Sequence, residues 1–311
     1  MRSLVNSATL TVFAVSAQAA FAQESEYYPE NDPTAEAGAQ SASVETRFLG
    51  DSVGEAVTLR FSGPTDLVTQ DSEAEGSPLT YWTGAEARVV SGDSDGWQAE
   101  GIFGVDYFVG SQSLVGGFVG LGKSDRDILG SRTQVSAQVL GGYYAQALEG
   151  GTLVHVFLGG GNAEFESDGA SFDAPRKMAG FSISGETKRE KTVFVPSIRA
   201  MAVRDEMPAF TGDSGAHPAA NVDGLTVSAT ARWESVEPFG DGDLLPYVSV
   251  GVDYLYTDLD NGMTDKAIAP RVGVGLFGQV GDGLFALDLD AGKVDSGSFD
   301  LGARATYSFG F

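Results

Sequence analysis

The chain has 311 residues, with 43 acidic and 19 basic side chains, a formal net charge of −24, no cysteine and two histidines. A chain this acidic repels the phosphates that Lys and Arg must neutralise in nucleic-acid binding. The cysteine count excludes disulfides, thiol nucleophiles and Cys-ligated metals. Mean hydropathy is near zero, and no apolar run reaches the ~18 residues of a membrane-spanning helix.

Arg2, the apolar stretch Ala8 to Val15 and the small-x-small triplet Ala20-Phe21-Ala22 form a signal peptide over residues 1–22, cleaved after Ala22. Residues 23–78 are an acidic lead-in. Within it, 24–43 is polar, carries Pro29 and Pro33 and reads as disordered. Residues 44–61 have two readings. Val44, Phe48, Val53, Val57 and Phe61 share one helical face, whereas Val57, Leu59 and Phe61 alternate as in a strand, and Gly50 and Gly54 weaken the helix. Residues 62–78 are acidic and turn-like.

From Leu79 to Phe311 the pattern is regular. Twelve segments alternate apolar with small or polar residues: 79–90, 97–109, 112–122, 132–148, 152–165, 176–188, 192–204, 222–234, 244–257, 267–280, 283–291 and 298–311. In the ninth, Val248, Val250, Val252, Tyr254 and Tyr256 point one way, and Ser249, Gly251 and Asp253 the other. In the last, Leu301, Ala303, Ala305, Tyr307, Phe309 and Phe311 oppose Asp300, Gly302, Arg304, Thr306 and Ser308. A period of two is the strand signature.

Three features separate a membrane barrel from a soluble sandwich. Aromatics gather at segment ends (Tyr81, Trp82, Tyr107, Phe108, Tyr254, Tyr256, Tyr307, Phe309), as interfacial girdles do. The polar face carries charges deep within strands: Glu86, Arg88, Glu100, Asp106, Arg199, Arg232, Asp253, Arg271, Asp288 and Arg304. A dry core would not accept them cheaply, but a polar lumen lined by both signs does. The connections also alternate, short after segments 2, 4, 6 and 10, longer and acidic after 3, 5, 7 and 9. Strands crossing hydrocarbon must leave no unpaired edge, so the sheet closes. The expectation is an all-β, 12-stranded antiparallel transmembrane β-barrel in the outer membrane, both chain ends periplasmic, with a short helix from 44–61 in or near the pore.

At this point the chain resembles the translocator (β-domain) of bacterial autotransporters. The matching stretches are Trp82-Thr83-Gly84-Ala85-Glu86, Gly101-Ile102-Phe103-Gly104-Val105-Asp106, Gly141-Gly142-Tyr143-Tyr144-Ala145 and Pro196-Ser197-Ile198-Arg199-Ala200. The closing Tyr307, Phe309 and Phe311 resemble the terminal signal read by the barrel-assembly machinery. The resemblance covers residues 79–311, with 44–61 in the place of the helix that family threads through its pore. It departs in one respect: residues 24–78 are too short for a passenger enzyme, so passenger self-cleavage is not carried over.

Gly117-Phe118-Val119-Gly120-Leu121-Gly122-Lys123-Ser124, with Asp288 as its acidic partner, matches a phosphate-binding loop in spelling. It lies inside an alternating strand instead of opening a helix. Gly-Asp-Ser occurs at 50–52, 92–94 and 212–214, and only Ser214 has a nearby base, His217, with Asp205 and Asp213 around it. Asp258 to Gly262 departs from calcium-loop spacing. No catalytic residue, cofactor or metal is therefore assigned. The leading reading is a structural or pore-forming translocator barrel without an enzymatic passenger. The alternatives are a hydrolase around Ser214 and His217, and an adhesin or ligand-binding barrel working through acidic loops. Expected partners are the bilayer with its lipopolysaccharide and the barrel-assembly machinery. No nucleic acid and a monomeric state complete the expectation.

Overall fold

The computed structural model describes residues 33–62 and 79–310, apart from 129, 214, 241–242, 260–263 and 295–296. One helix, α1 (Pro33–Ser62), precedes twelve long strands. These are β1 (Leu79–Ser91), β2 (Ser94–Phe108), β3 (Ser113–Ile128), β4 (Ser131–Leu148), β5 (Thr152–Ser167) and β6 (Ala170–Gly185). They continue as β7 (Thr192–Met207), β8 (Ala220–Ser235), β9 (Leu244–Asp258), β10 (Thr264–Val280), β11 (Gly283–Lys293) and β12 (Phe299–Gly310). Each pairs antiparallel with its sequence neighbours, and β1 pairs with β12 from Thr80↔Gly310 to Ser91↔Phe299, which closes the barrel. The twelve alternating segments are thus the twelve strands.

Alternation decides which way each side chain points. Val248, Val250, Leu140, Leu158 and Leu301 stand on the outer surface, each at least 47% exposed. Large apolar side chains at such exposure all around a closed sheet form a lipid-facing surface. Tyr81, Tyr307 and Phe309 stack at ring separations of about 6 Å where β1 begins and β12 ends, the near mouth of the barrel. Tyr254 and Tyr256 lie toward the opposite, far mouth.

Three expectations are corrected. Trp82 and Phe108 do not belong to the girdle. Trp82 is fully buried and Phe108 packs on Phe61 of α1. Adjacent residues of one strand leave opposite faces, so Tyr81 and Trp82 cannot both face lipid. The long connections after the third and fifth segments are absent: β3 ends at Ile128 before β4 begins at Ser131, and Asp168-Gly169 alone joins β5 to β6. Both of those residues take positive φ, as a two-residue hairpin turn demands. The residues read as loop extend the strands instead: β3 runs on to Ile128 and β6 begins at Ala170, each with 16 residues where ~9–11 cross a bilayer. Between β7 and β8 a small hairpin pairs Phe210–Gly212 with Gly215–His217.

The third correction is the helix. It starts at Pro33, so residues 33–43 are not disordered. Proline is tolerated in a first helical turn, where no intrahelical N–H is needed. Alanines 35, 37, 39 and 42 then carry high helix propensity. Gly50 and Gly54 fall where the helix touches the wall: a Cβ on Gly50 would meet Met201 Sδ at 2.5 Å, and one on Gly54 would meet His155 Cε1 at 3.1 Å. The signal peptide with Ala20 and Ala22, Phe311 of the assembly signal and Ser214 lie outside the described residues.

Candidate functional site: the barrel lumen

The helix runs along the lumen from one mouth to the other. At its N-terminal end Gly38 lies against Phe165, and Ser41 bonds Ser124 at 2.7 Å, both wall residues near the far mouth. At its C-terminal end Arg60 pairs with Asp106 at 3.2 Å, and Phe61 meets Phe108 edge-on at the near mouth. Thirty residues at ~1.5 Å each make about 45 Å, more than the ~30 Å of hydrocarbon.

One side of the helix is apolar. Ala42, Phe48, Leu49, Val53, Ala56 and Val57 pack with Trp82, Ile102, Phe118, Val139, Phe157 and Met201. Nearly every helical position from 37 to 59 is buried or half-buried, so its sequence needs no single apolar stripe facing an aqueous one.

The other contacts are electrostatic. All five charged side chains from 37 to 61 pair with the wall: Glu45 with Arg176, Arg47 with Asp300 (3.1 Å) and Asp253 (3.6 Å), Asp51 with Arg199 and Arg304, Glu55 with Arg232 (3.3 Å), and Arg60 with Asp106. Near the far mouth Arg47, Arg88 and Arg271 converge on Asp300, which Arg88 reaches at 2.7 Å and Arg271 at 2.9 Å. Asp290 and Glu86 complete that cluster. The cations on this inner surface are all arginines, whose forked guanidinium serves several carboxylates at once. Lys123, Lys177 and Lys266 stand outside. At the near mouth Trp82 Nε1 donates to Tyr143 Oη (2.7 Å), Tyr143 donates to Asp106 (3.0 Å), and Arg60 lies over the Phe108 ring.

The ten charges singled out from sequence therefore all stand on the inner surface. Glu86, Arg88, Glu100, Asp106 and Asp253 are buried, and Arg199, Arg232, Arg271, Asp288 and Arg304 are half-buried. Tyr247 donates to Asp288 at 2.7 Å. Sequence reasoning missed Arg126, Arg176, Asp205 and Asp290, although their alternation with outward residues was there to see. It also passed over Asp51, which was grouped with the Gly-Asp-Ser triplets.

The apolar packing of the helix extends around the wall to Met178 on β6 and to Met201 and Val203 on β7. Between the helix and β5–β12 lies a polar cavity of about 160 Å³ bordered by Asp51, His155, Ser182, Arg199, Ser228 and Arg304. A second space of about 170 Å³, bordered by Leu59, Leu153, Leu245, Phe277 and Leu284, lies toward the near mouth.

Of the hydrolase candidates, Ser214 lies outside the described residues, and Asp205 is buried against Arg176 at 2.6 Å. His217 stacks on Phe210 at 4.3 Å and approaches Asp168 at 3.3 Å, fastening the small hairpin to the β5–β6 turn. The phosphate-loop spelling lies wholly within β3, with Lys123 directed outward. Among the described residues, no cluster of metal-ligating side chains occurs.

A closed twelve-stranded barrel with an apolar exterior, a charged lumen and a helix lying through it is an outer-membrane translocator or pore. The sequence model of the autotransporter β-domain matches residues 77–271, and the chain belongs to that family. Among solved structures, the fold is similar to the β-domain of the Bordetella autotransporter BrkA at 16% identity and TM-score 0.63, over 76% of this chain and 100% of that one. The translocator domain of NalP from Neisseria meningitidis matches at 12% identity and TM-score 0.63, over 89% and 99% of the two chains. The transport unit of AIDA-I from Escherichia coli matches at 10% identity and TM-score 0.51, over 83% and 98%. Among curated protein sequences, none matches. The protein is an outer-membrane translocator or pore barrel.

Proposed function

We propose that this barrel is a translocator whose own helix occupies the pore at rest, and that it serves without an enzymatic passenger. The observation that carries this reading is the path of α1. It begins at the far mouth and ends at the near mouth, where β1 also begins. The near mouth is the periplasmic side, because a chain delivered from the periplasm and closed with an even strand number leaves both barrel ends there. The segment before Pro33 then lies on the cell surface. The barrel has carried its own N-terminal peptide outward, and the helix remains as a plug. Residues 1–22 serve as the cleaved leader, 23–78 as the exported segment with its plug, and 79–311 as the barrel. Tyr307, Phe309 and Phe311 present the assembly signal to the barrel-assembly machinery, the apolar exterior and outer-leaflet lysines contact lipid and lipopolysaccharide, and the barrel works as a monomer.

The absence of cysteine makes the topology directly testable. Ser25→Cys in intact cells is expected to react with a membrane-impermeant maleimide, whereas Ser52→Cys, at a fully buried position, is not. Labelling of Ser25→Cys only after the outer membrane is permeabilised would place the segment in the periplasm and reject the reading.

A further inference from the structure

Asp51 sits near the middle of the plug, and its two carboxylate oxygens are divided between two walls. Arg199 of β7 holds Oδ1 and Arg304 of β12 holds Oδ2. Among the described residues, Arg199 makes its ion pair with Asp51 alone. Its neighbours across the sheet are hydroxyls, Ser182 on β6 and Ser228 on β8. His155 follows beside Ser182. Among the described residues, the buried Ser228 Oγ and His155 Nε2 have no hydrogen-bond partner, and both residues border the polar cavity. The next carboxylate along this register, Asp253, is engaged by Arg47 at 3.6 Å and Arg271 at 3.5 Å. Arg304 has Glu86 at 3.9 Å on β1 and Asp288 opposite it on β11. Arg199 is thus flanked by neutral donors and Arg304 by Glu86 and Asp288, and among the described residues the carboxylate that bridges the two guanidiniums is that of Asp51 on the helix.

We propose that Arg199 and Arg304, with Ser182, Ser228 and His155 beside Arg199, form a carboxylate-binding site in mid-lumen, occupied at rest by Asp51. Its ligand class is the side-chain carboxylate of an acidic peptide passing through the pore. Glu24, Glu26, Glu30 and Asp32, which precede the helix in sequence, are carboxylates of this kind. Two guanidiniums facing one another across a narrow lumen repel unless an anion lies between them, so the site attracts such groups in transit and Asp51 closes it afterwards. The inference rests on the plug reading and names the site that holds the plug.

The test uses the full-length protein in planar bilayers under a potassium chloride gradient, with heat-modifiable electrophoretic migration as the check on folding. Asp51→Asn is expected to open at least about tenfold more often than wild type, since a lost partner leaves buried charge uncompensated. Its openings are expected to be anion-selective and blocked by hexaglutamate but not by hexalysine. Asp51→Glu is expected to behave as wild type. Adding Arg199→Gln or Arg304→Gln to Asp51→Asn is expected to abolish both selectivity and block. Openings that keep their selectivity and block without these arginines would overturn the site. Wild-type behaviour of Asp51→Asn, alongside opening by Arg47→Ala or Arg60→Ala, would overturn it while sparing the plug. If no helix variant and no deletion of residues 24–62 alters conductance, the plug reading itself fails.

Discussion

At the residue scale, side chains of one strand obey opposite rules on its two faces. Val250 is 47% exposed on the outer surface, and Thr230 borders the polar cavity. An arginine on the lipid face near the bilayer midplane costs roughly 2–4 kcal/mol, falling toward the interfaces. Val250→Arg is therefore expected to impair assembly strongly, and Thr230→Arg little, as read from the folded fraction in outer membranes. Equal assembly would contradict the register. Ion pairs divide in the same way. The Arg176 side chain is fully buried between Asp205 and Glu45, so Arg176→Ala strands two carboxylates, at an expected cost of about 3–5 kcal/mol. Arg204, about half exposed beside Asp223, is expected to contribute less than ~1 kcal/mol. Guanidinium unfolding midpoints of Arg176→Ala and Arg204→Ala compare the two. This division was legible in the alternation, which marked Arg88, Asp253 and Arg304 as inward. The partners were not, because each pairs with a residue distant in sequence: Arg47 and Asp300 are 253 residues apart.

At the element scale, the strands could be read from sequence and the helix only in part. A strand in a lipid-facing wall must alternate, since one face meets hydrocarbon and the other a polar interior. A helix enclosed on every side carries no such obligation, and the Ala, Gly and Ser residues of 33–43 resemble linker. Gly50 and Gly54 argued against a helix on propensity. Their physical role is close approach, which lets the backbone lie against Met201 and His155. Gly50→Leu is expected to leave the barrel folded, as judged by heat-modifiable migration, while displacing the helix and raising conductance. An unchanged conductance would show that the wall yields instead. The loops were misread for a related reason: alternation continues beyond the bilayer in β3 to β6, where outward positions turn polar at Lys123, Ser136, Glu164 and Asp173. Composition there looks like loop although hydrogen bonding is strand.

At the scale of the whole molecule, a twelve-stranded barrel is too wide for its own side chains to fill, and the helix occupies the excess. Apolar packing on β1–β7 and ion pairs to β2, β6–β9 and β12 hold it, with polar space left beside β5–β12. Closing the pore is then a property of residues before β1 and not of the barrel. Single-channel conductance in planar bilayers, comparing the mature protein with a variant lacking residues 24–62, tests this most directly. The expected result is low conductance for the mature protein and a several-fold rise on deletion, with the barrel still heat-modifiable. Equal conductance of the two folded proteins would contradict it.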